Sequence, residues 1–406
     1  MTTRWNATEA MRRLDTDPTI SPADVYPEVL SKCPVSRVKV EGSSADWWAA
    51  LGYEELKTTL RNFKEMSSTV TTEQDGTPAI IPLFADPPLH TGFRKLLNPN
   101  FPPEVVGRLE PELRKIAIEM VEAVVAEGTV DFSSAIAFPY PTRVLCLFLG
   151  VPDSDWPVHH EFVMAVDRLT NGLADPDTEG FERGLEKPFG DIIPYIQKVI
   201  ADHRERPRDD IVNSFIRGEV AGRRLEDFEI TKLIIAMMLA GHATTTAALG
   251  NTVLRIARDA ELQERLRNEP HRIPDAIEEC LRIDAPQQAL SRKCLADTQL
   301  GDVTIGAGEN VLVNYGSANV DPGHYSDPDK FDIDREDKSH MSFGFGLHAC
   351  LGQHLARLDL RILIEELLGR TTSLRIDGEV RRRSYPVLSV LQMPLATQAS
   401  GTGGVE

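Results

Sequence analysis

The segment Phe343–Gly352, "FGFGLHACLG", constrains the fold of this chain more than any other feature. Its glycines permit positive φ angles and a close approach of the backbone to a flat or bulky object. The amphipathic stretch from Leu355 predicts a helix that begins close to Cys350. Amide groups at the start of that helix would stabilise a thiolate. The fold must therefore hold one cysteine between a glycine-rich loop and a helix N-terminus.

Cys350 has four candidate roles: core residue, redox thiol, nucleophile or metal ligand. The other four cysteines have apolar or helical neighbours, and no CxxC pair occurs, so neither a disulfide framework nor a zinc or iron–sulfur cage is expected. One thiolate beside a flat macrocycle would explain the glycines, the aromatic residues and the lone cysteine, and cysteine-ligated heme iron is a site of this kind. A structural cysteine or a thiol nucleophile remains the alternative.

The rest of the chain predicts a mainly α protein. Apolar residues recur at helical spacing in the stretches that begin at Glu104, Gly190, Ala260 and Leu355. Strand candidates are short and lie near residue 40, at 298–318 with a hairpin at the "GAGE" of 306–309, and near the C-terminus. Without βα alternation, a doubly wound sheet is not expected. We predict one large helical domain with small β-sheets over residues 25–396, an N-terminal arm at 1–24 and a flexible tail at 397–406.

Composition excludes several functions. The net charge of −18 argues against nucleic-acid binding, which requires basic surface. The N-terminus has no apolar core of a signal peptide, and the longest apolar run, "LIIAMMLAG", is too short to span a bilayer. We therefore expect a cytoplasmic monomer with reduced thiols and no membrane partner.

The cysteine segment resembles the ligand loop of the cytochrome P-450 monooxygenases, F-G-x-G-x-H-x-C-x-G, at all six fixed positions. The resemblance extends over roughly residues 25 to 396 and implies the cytochrome P-450 fold and heme b, with Cys350 as the axial thiolate on iron. It also implies contacts to heme from Phe343, Gly344 and Gly352. Glu279 and Arg282 match the E-x-x-R motif of that family, and Arg335 matches the third member of a structural cluster behind the loop. Alone, such a helical pair would be a solvated surface pair.

The resemblance implies four partners for the heme propionates. His90 and Arg94, in "DPPLHTGFRKLL", are four residues apart and would share a helix face. Arg292 matches the strand arginine of the family, and His348 belongs to the cysteine segment. Taken singly, each residue is more often a surface charge or a satisfied core histidine, and the cysteine segment is what favours the heme contact.

The segment "AGHAT" resembles the core of the long helix that crosses the heme in this family. Ala240 and Gly241 would then form a groove for dioxygen, and Thr244 would steer protons into it. Packing alone could also explain a buried threonine run. The family usually has Asp or Glu before the threonine, whereas this chain has Ala243. His242 or a water chain would replace the acid, or the enzyme would activate oxygen less efficiently, or it would use hydrogen peroxide.

We therefore predict a monooxygenase that inserts one oxygen atom of dioxygen into a small hydrophobic substrate, by hydroxylation or oxidative dealkylation. Electrons would come from a separate ferredoxin and its reductase, docked near Lys338, Arg357 and Arg361, although a solvated helix face explains these three equally well. A peroxide-driven peroxygenase and a non-catalytic heme-binding sensor are the alternatives. The pocket implied by the resemblance comprises Ile80, Ile81, Leu83, Met238, His242, Thr245, Gln287, Ala289, Leu290, Leu388 and Val390.

Overall fold

The computed structural model describes residues 7–17, 19–40, 45–72, 78, 80–170 and 178–400. Within them, the predicted mainly α architecture is confirmed. The helices are α1 (Ala7–Thr16), α2 (Pro22–Leu30), α3 (Tyr53–Arg61), α4 (Leu89–Leu97), α5 (Pro103–Val106), α6 (Glu110–Glu127), α7 (Pro139–Phe148), α8 (Trp156–Thr170), α9 (Thr178–Glu205), α10 (Ile211–Arg217), α11 (Asp227–Arg258), α12 (Ala260–Asn268), α13 (Ile273–Ile283), α14 (Tyr315–Ala318) and α15 (Gln353–Arg370).

The strands are short and form small sheets. They are β1 (Val35–Val38), β2 (Trp47–Ala50), β3 (Met66–Ser67), β4 (Thr129–Asp131), β5 (Glu219–Val220), β6 (Arg223–Arg224), β7 (Ala289–Cys294), β8 (Thr298–Leu300), β9 (Val303–Ile305), β10 (Asn310–Asn314), β11 (Thr371–Ile376), β12 (Arg381–Arg383), β13 (Ser389–Gln392) and β14 (Pro394–Ala399). The largest sheet has the order β1-β2-β10-β7-β3, and a second has the order β11-β14-β4. β5–β6, β8–β9 and β12–β13 form separate pairs.

The hairpin predicted at residues 306–309 is wrong. β9 pairs with β8 across a turn at Gly301, whose φ of +58° favours glycine. The Gly306–Glu309 turn instead connects β9 to β10, which pairs with β2 and β7 in the largest sheet. The glycines marked a turn correctly, but strand pairing is decided by contacts distant in sequence.

Helix α11 forms the centre of the helical core and contacts α7, α8, α9 and α13. Apolar residues occur around most of its circumference, as is typical of a buried helix. At its start the Glu229 carboxylate accepts the Glu226 N–H at 2.9 Å, and beyond its end Asp259 caps α12. Among the described residues α11 is long and apolar enough to cross a bilayer, but most of its apolar stretch is buried inside the protein.

The chain termini differ from the predicted arm and tail. Leu14 of α1 packs with Tyr26 of α2 and Val38 of β1 in one buried cluster, and the predicted boundary at residue 25 falls inside α2. Residues 397–399 of the predicted tail belong to β14, which pairs with β11. Residues 1–6 and 401–406 lie outside the described part of the chain.

Candidate heme site

The cysteine segment forms a tight loop in front of α15. Gly344 and Gly346 have φ angles of +70° and +71°, in the region that favours glycine, and a Cβ on Gly346 would lie 3.2 Å from the Leu60 carbonyl oxygen. The Cys350 N–H donates to the Phe343 carbonyl at 2.7 Å and closes the loop. Helix α15 begins at Gln353, so Cys350 lies just before its first turn, close to the predicted place.

The Cys350 thiol faces a cavity of about 340 Å³. The side chain is accessible from the cavity while protein surrounds the cavity, so burial raises the pKa of the thiol. The amides of Gly352 and Gln353 and the charges of Arg94 and Arg357 oppose that rise in pKa. A thiolate is thus partly stabilised by the protein, and a bound metal cation would supply the remaining stabilisation.

A group of cationic and imidazole side chains lies on the same cavity wall. Arg94 donates to the Ala349 carbonyl at 2.9 Å, and the His90 and His348 ring centroids are 4.2 Å apart. Burial and the neighbouring His90, Arg292 and Arg94 lower the pKa of His348 to about 3. The buried His90 Nδ1 has no hydrogen-bond partner among the described residues. Such donors suit a buried anionic group, because ionised carboxylates require partners inside a protein.

Helix α11 supplies a wall with little side-chain bulk. Ala240, Gly241 and Thr244 line the cavity. The Thr244 Oγ1 donates to the Ala240 carbonyl at 2.9 Å, which leaves its oxygen free to accept from the cavity. A Cβ on Gly241 would lie 3.0 Å from the Leu145 side chain, so glycine permits the close packing of α7 against α11.

A buried ionic cluster holds the loop that leads to the cysteine. Arg282 donates twice to Glu279 at 2.8 Å, and Arg335 donates to Glu279 at 3.3 Å. Both arginines also bind backbone carbonyl groups of this loop, namely those of Asn319, Pro328 and Lys330 for Arg282 and those of Ser326, Asp327 and Lys330 for Arg335. The cluster therefore fixes the backbone of residues 319–335, as a bracing role requires.

These features fit a heme. One thiol, a group of donors for carboxylates and a helix surface of small residues all face one cavity. Arg292 is near this group but does not line the cavity, and its Nη1 donates to the Ser291 carbonyl at 2.8 Å. Among the described residues no cluster of three or more His, Cys, Asp or Glu side chains could hold a metal ion without such a macrocycle.

Comparison with known proteins identifies the family. The sequence model of the cytochrome P-450 family matches residues 158–394. The chain belongs to the cytochrome P-450 family. Cytochrome P-450-terp of a Pseudomonas species is 32% identical over 307 residues, which cover 73% of this chain and 71% of the relative. The 6-deoxyerythronolide B hydroxylase of Saccharopolyspora erythraea is 30% identical over 393 residues, covering 91% and 94%.

A solved structure agrees over nearly the whole chain. The crystal structure of CYP108D1 from Novosphingobium aromaticivorans superposes with a TM-score of 0.84 at 28% identity, covering 97% of this chain and 99% of that one. The cytochrome P-450 fold is thereby confirmed. The protein is a monooxygenase of the oxidoreductase class that binds heme iron through a cysteine thiolate.

The cavity of this cytochrome P-450 includes about half of the predicted pocket residues. Those on its wall are Ile80, Ile81, Leu83, Thr245, Gln287 and Leu290. Those away from it are Met238, His242, Ala289, Leu388 and Val390. His242 lies on the far side of α11, where its Nε2 is 3.0 Å from the Phe138 carbonyl oxygen, and Val390 packs under Gly250. We remove these five residues from the predicted pocket, and with them the replacement of the missing acid by His242.

Helical geometry explains the position of His242. Successive residues of an α-helix are rotated by about 100°, so His242 lies about 160° around α11 from Thr244, and Met238 about 120°. Met237, in contrast, lies within about 20° of Thr244 and lines the cavity. Helical spacing from Thr244 alone predicts Met237, and not Met238, on the cavity wall, and it excludes His242 from that wall.

Part of the cavity wall was not predicted from the sequence. Val144, Leu145 and Phe148 of α7 line the cavity, and only the packing of α7 against α11 brings them there. Asp359 of α15 lines it too. An acid on the apolar face of an amphipathic helix, where a carboxylate is costly to bury, is the sequence signal that could have indicated Asp359.

The three residues of the predicted docking face are paired with carboxylates. Lys338 is 2.9 Å from Asp275, Arg357 is 2.7 Å from Glu278, and Arg361 is 2.7 Å from Glu110. Their positive charge is therefore largely compensated within the protein. Docking of a ferredoxin at this face remains a prediction.

Proposed function

We propose that this cytochrome P-450 inserts one atom of dioxygen into a small hydrophobic organic substrate, by hydroxylation or oxidative dealkylation, with Cys350 as the heme ligand. One observation carries the proposal: Cys350 and Thr244 face the same cavity, and most of its other lining residues are apolar. Two relatives, the 6-deoxyerythronolide B hydroxylase and the erythromycin C-12 hydroxylase of Saccharopolyspora erythraea, support hydroxylation in particular. The overall reaction takes up two electrons and two protons, and it releases one water molecule.

Bound heme supplies the chemistry that activates dioxygen. The side chains have simpler tasks. Arg94, His90 and His348 would hold the carboxylates of the macrocycle, and the Cys350 sulfur would bind its iron. Apolar residues such as Leu233, Met237 and Phe148 would exclude water and retain an apolar substrate. The Thr244 hydroxyl, which donates to Ala240, can accept a hydrogen bond from cavity water and keep that water in place for proton delivery.

Electrons would come from a separate ferredoxin and its reductase in the cytoplasm, where the protein would act as a monomer. The docking face we propose surrounds the cysteine segment and includes Lys338, Arg357 and Arg361. Phe343 connects this face to the cavity, since its ring lies under the Arg357 guanidinium at 4.3 Å and also lines the cavity. A carboxylate-rich partner would compete with Glu278 for Arg357, which predicts a salt-sensitive and weak complex.

The first experiment is the absorption spectrum of the dithionite-reduced protein with carbon monoxide. A Soret band at about 450 nm would support a thiolate ligand. Cys350→Ser should lose this band, whereas Cys33→Ser, a change at a cysteine outside the cavity, should keep it. Retention of the band in Cys350→Ser would contradict the assignment of the ligand.

The second experiment compares electron sources. Turnover with a ferredoxin, its reductase and dioxygen, and little turnover with hydrogen peroxide, is the expected result for a monooxygenase. Turnover with peroxide alone would identify a peroxygenase instead, the alternative that Ala243 raises.

A further inference from the structure

One polar side chain on the cavity wall has no role in the proposed function. Gln287, in the segment that connects α13 to β7, lines the same cavity as Thr244 and Cys350. The neighbouring Gln288 is fully buried and does not line the cavity. These two consecutive glutamines therefore have different surroundings, and of the two only Gln287 can contact a bound molecule.

Two backbone carbonyl groups hold the Gln287 amide in one orientation. Its Nε2 donates to the Ala289 carbonyl at 2.7 Å and to the Pro386 carbonyl at 3.4 Å. An isolated β-bridge between Gln287 and Val387 holds the backbone beside the amide. Rotating the amide by half a turn would place its oxygen against two carbonyl oxygens and lose both hydrogen bonds. The nitrogen therefore faces the backbone, and the oxygen points away from it.

The Gln287 Oε1 is an open acceptor. Within the described part of the chain the amide of Gln287 only donates, and its oxygen is not one of the atoms that are fully enclosed without a partner. The Gln288 Oε1, in contrast, is enclosed in this way. Because Gln287 lines the cavity, its accessible oxygen can accept a hydrogen bond from a molecule bound there. Gln287 thus offers such a molecule an acceptor and no free donor.

The charged groups of the cavity narrow the choice of ligand. Arg94 is the only arginine or lysine on the described part of the wall, and the proposed function assigns it to the heme carboxylates. Burial lowers the pKa of His90, and it lowers that of His348 to about 3, so both imidazoles are neutral. A carboxylate on the substrate would therefore lack a cationic partner. An ammonium group would lack an anionic one, because Asp359, the only acid on the described wall, is kept protonated by burial.

A hydroxyl group is an uncharged donor that suits this wall. It can donate to the amide oxygen, whereas a ketone would bring a second acceptor against that oxygen. Aliphatic side chains such as Ile81, Leu83 and Met237 suit the remaining hydrocarbon. We propose that Gln287 selects the substrate by accepting a hydrogen bond from its hydroxyl group, so that the substrates are lipophilic alcohols without ionised groups. This inference rests on the proposed function, for which it names the substrate class.

The test compares three molecules that share one hydrocarbon frame: trans-4-tert-butylcyclohexanol, 4-tert-butylcyclohexanone and trans-4-tert-butylcyclohexanecarboxylate. Their dissociation constants with the heme-loaded full chain are measured by equilibrium dialysis, which does not depend on turnover. We expect the alcohol to bind at least about fivefold more tightly than the ketone, because only the alcohol forms a hydrogen bond with Gln287. The carboxylate should bind more weakly than both, since it would be buried without a cationic partner.

Two variants separate Gln287 from a second polar residue of the same wall. Gln287→Leu removes the acceptor, so the alcohol and the ketone should bind about equally, and the preference for the alcohol should fall at least about fivefold. Thr245 also lines the cavity, and its hydroxyl can donate as well as accept. Thr245→Val is the control and should leave the ratio of the two dissociation constants unchanged.

The wild type alone can overturn the inference, even if Gln287→Leu fails to fold. A ketone that binds as tightly as the alcohol, or more tightly, would contradict an open acceptor at Gln287. A carboxylate that binds most tightly would show that the cavity offers a cation, and it would overturn the substrate class. A preference for the alcohol that survives Gln287→Leu, or that is lost in Thr245→Val, would assign recognition of the hydroxyl group to another residue.

Turnover separates this inference from the proposed function. A wild type that prefers the alcohol but forms no oxygenated product from it, with a bacterial ferredoxin, its reductase and dioxygen, would overturn the proposed function for this substrate class and leave the recognition by Gln287 intact. A wild type that oxygenates these molecules without any preference for the alcohol in binding would keep the monooxygenase and overturn the role of Gln287.

Discussion

The cysteine segment and α11 line the same cavity, but different interactions hold them in place. Behind the cysteine, Glu279, Arg282 and Arg335 make directional hydrogen bonds to one another and to backbone carbonyl groups. Helix α11 is held mainly by apolar packing, with Gly241 and Gly250 allowing Leu145 and Val390 to approach closely. Directional bonds fix a ligand atom in position, whereas apolar packing fixes volume and accepts changes of shape. The first region thus suits iron ligation and the second suits a variable substrate.

The largest effect is expected where directional bonds are broken. Glu279→Ala leaves Arg282, of which the side chain is 1% exposed, without its carboxylate. Removing one partner of a buried ion pair costs about 3–5 kcal/mol, because the other charge stays buried. We expect a corresponding loss of unfolding free energy in denaturant titrations and a lower heme content. Asp191→Ala, which breaks an exposed pair with Lys187, should leave both quantities unchanged. Equal losses in the two variants would contradict the larger contribution of the buried ion pair.

A smaller effect is expected in the apolar region. Gly241→Val would place new methyl groups against Leu145, since even a Cβ lies only 3.0 Å from that side chain. Overpacking of this kind costs about 1–3 kcal/mol. The unfolding free energy should fall by this amount, and the double variant with Leu145→Ala should recover part of the loss. Gly369→Val in α15, where nothing lies within 4 Å of the added Cβ, is the control and should cost less. A larger loss at Gly369 would contradict this explanation.

Asp359 lies where the two kinds of region meet, and its pKa predicts a pH dependence. Burial raises its folded-state pKa above the unfolded value of about 3.9, so above that pH the folded protein binds more protons than the unfolded chain. The unfolding free energy of the wild type should then decrease by about 1.4 kcal/mol per pH unit relative to Asp359→Asn as the pH rises from about 5.

Tyr140 interacts electrostatically with Asp359 and is buried. Burial raises the pKa of Tyr140 well above its usual value, so this hydroxyl stays neutral over the range and does not change the pH dependence. Denaturant midpoints of wild type and Asp359→Asn at pH 5.5 and about one unit higher provide the measurement. If the midpoints of the wild type and of Asp359→Asn change by the same amount between the two pH values, Asp359 is ionised in the folded protein.

The sequence predicted the directional region better than the apolar one. The cysteine segment and the Glu279 motif consist of residue types that only a few positions of a fold can accept. Their local geometry could therefore be predicted from the residue types alone. The orientation of α11 is predictable from helical spacing, which puts His242 on the face opposite Thr244, whereas the residue type alone suggests a place in the cavity. Strand pairing after Gly301 and the contact of α7 with α11 depend on residues distant in sequence, which no local pattern contains.

The smallest effect is expected at His242, and it tests whether the two faces of α11 have separate functions. His242→Ala removes the hydrogen bond to the Phe138 carbonyl, which is worth about 1 kcal/mol of unfolding free energy. The fraction of consumed dioxygen that is released as hydrogen peroxide should stay at the wild-type value, because the side chain lies away from the cavity. Thr244→Ala, two residues away on the cavity face, should raise that fraction with little loss of stability, since within the described part of the chain its hydroxyl bonds only to the carbonyl one turn earlier. A raised fraction in His242→Ala would mean that the far side of α11 also serves the cavity, and it would contradict separate functions for the two faces.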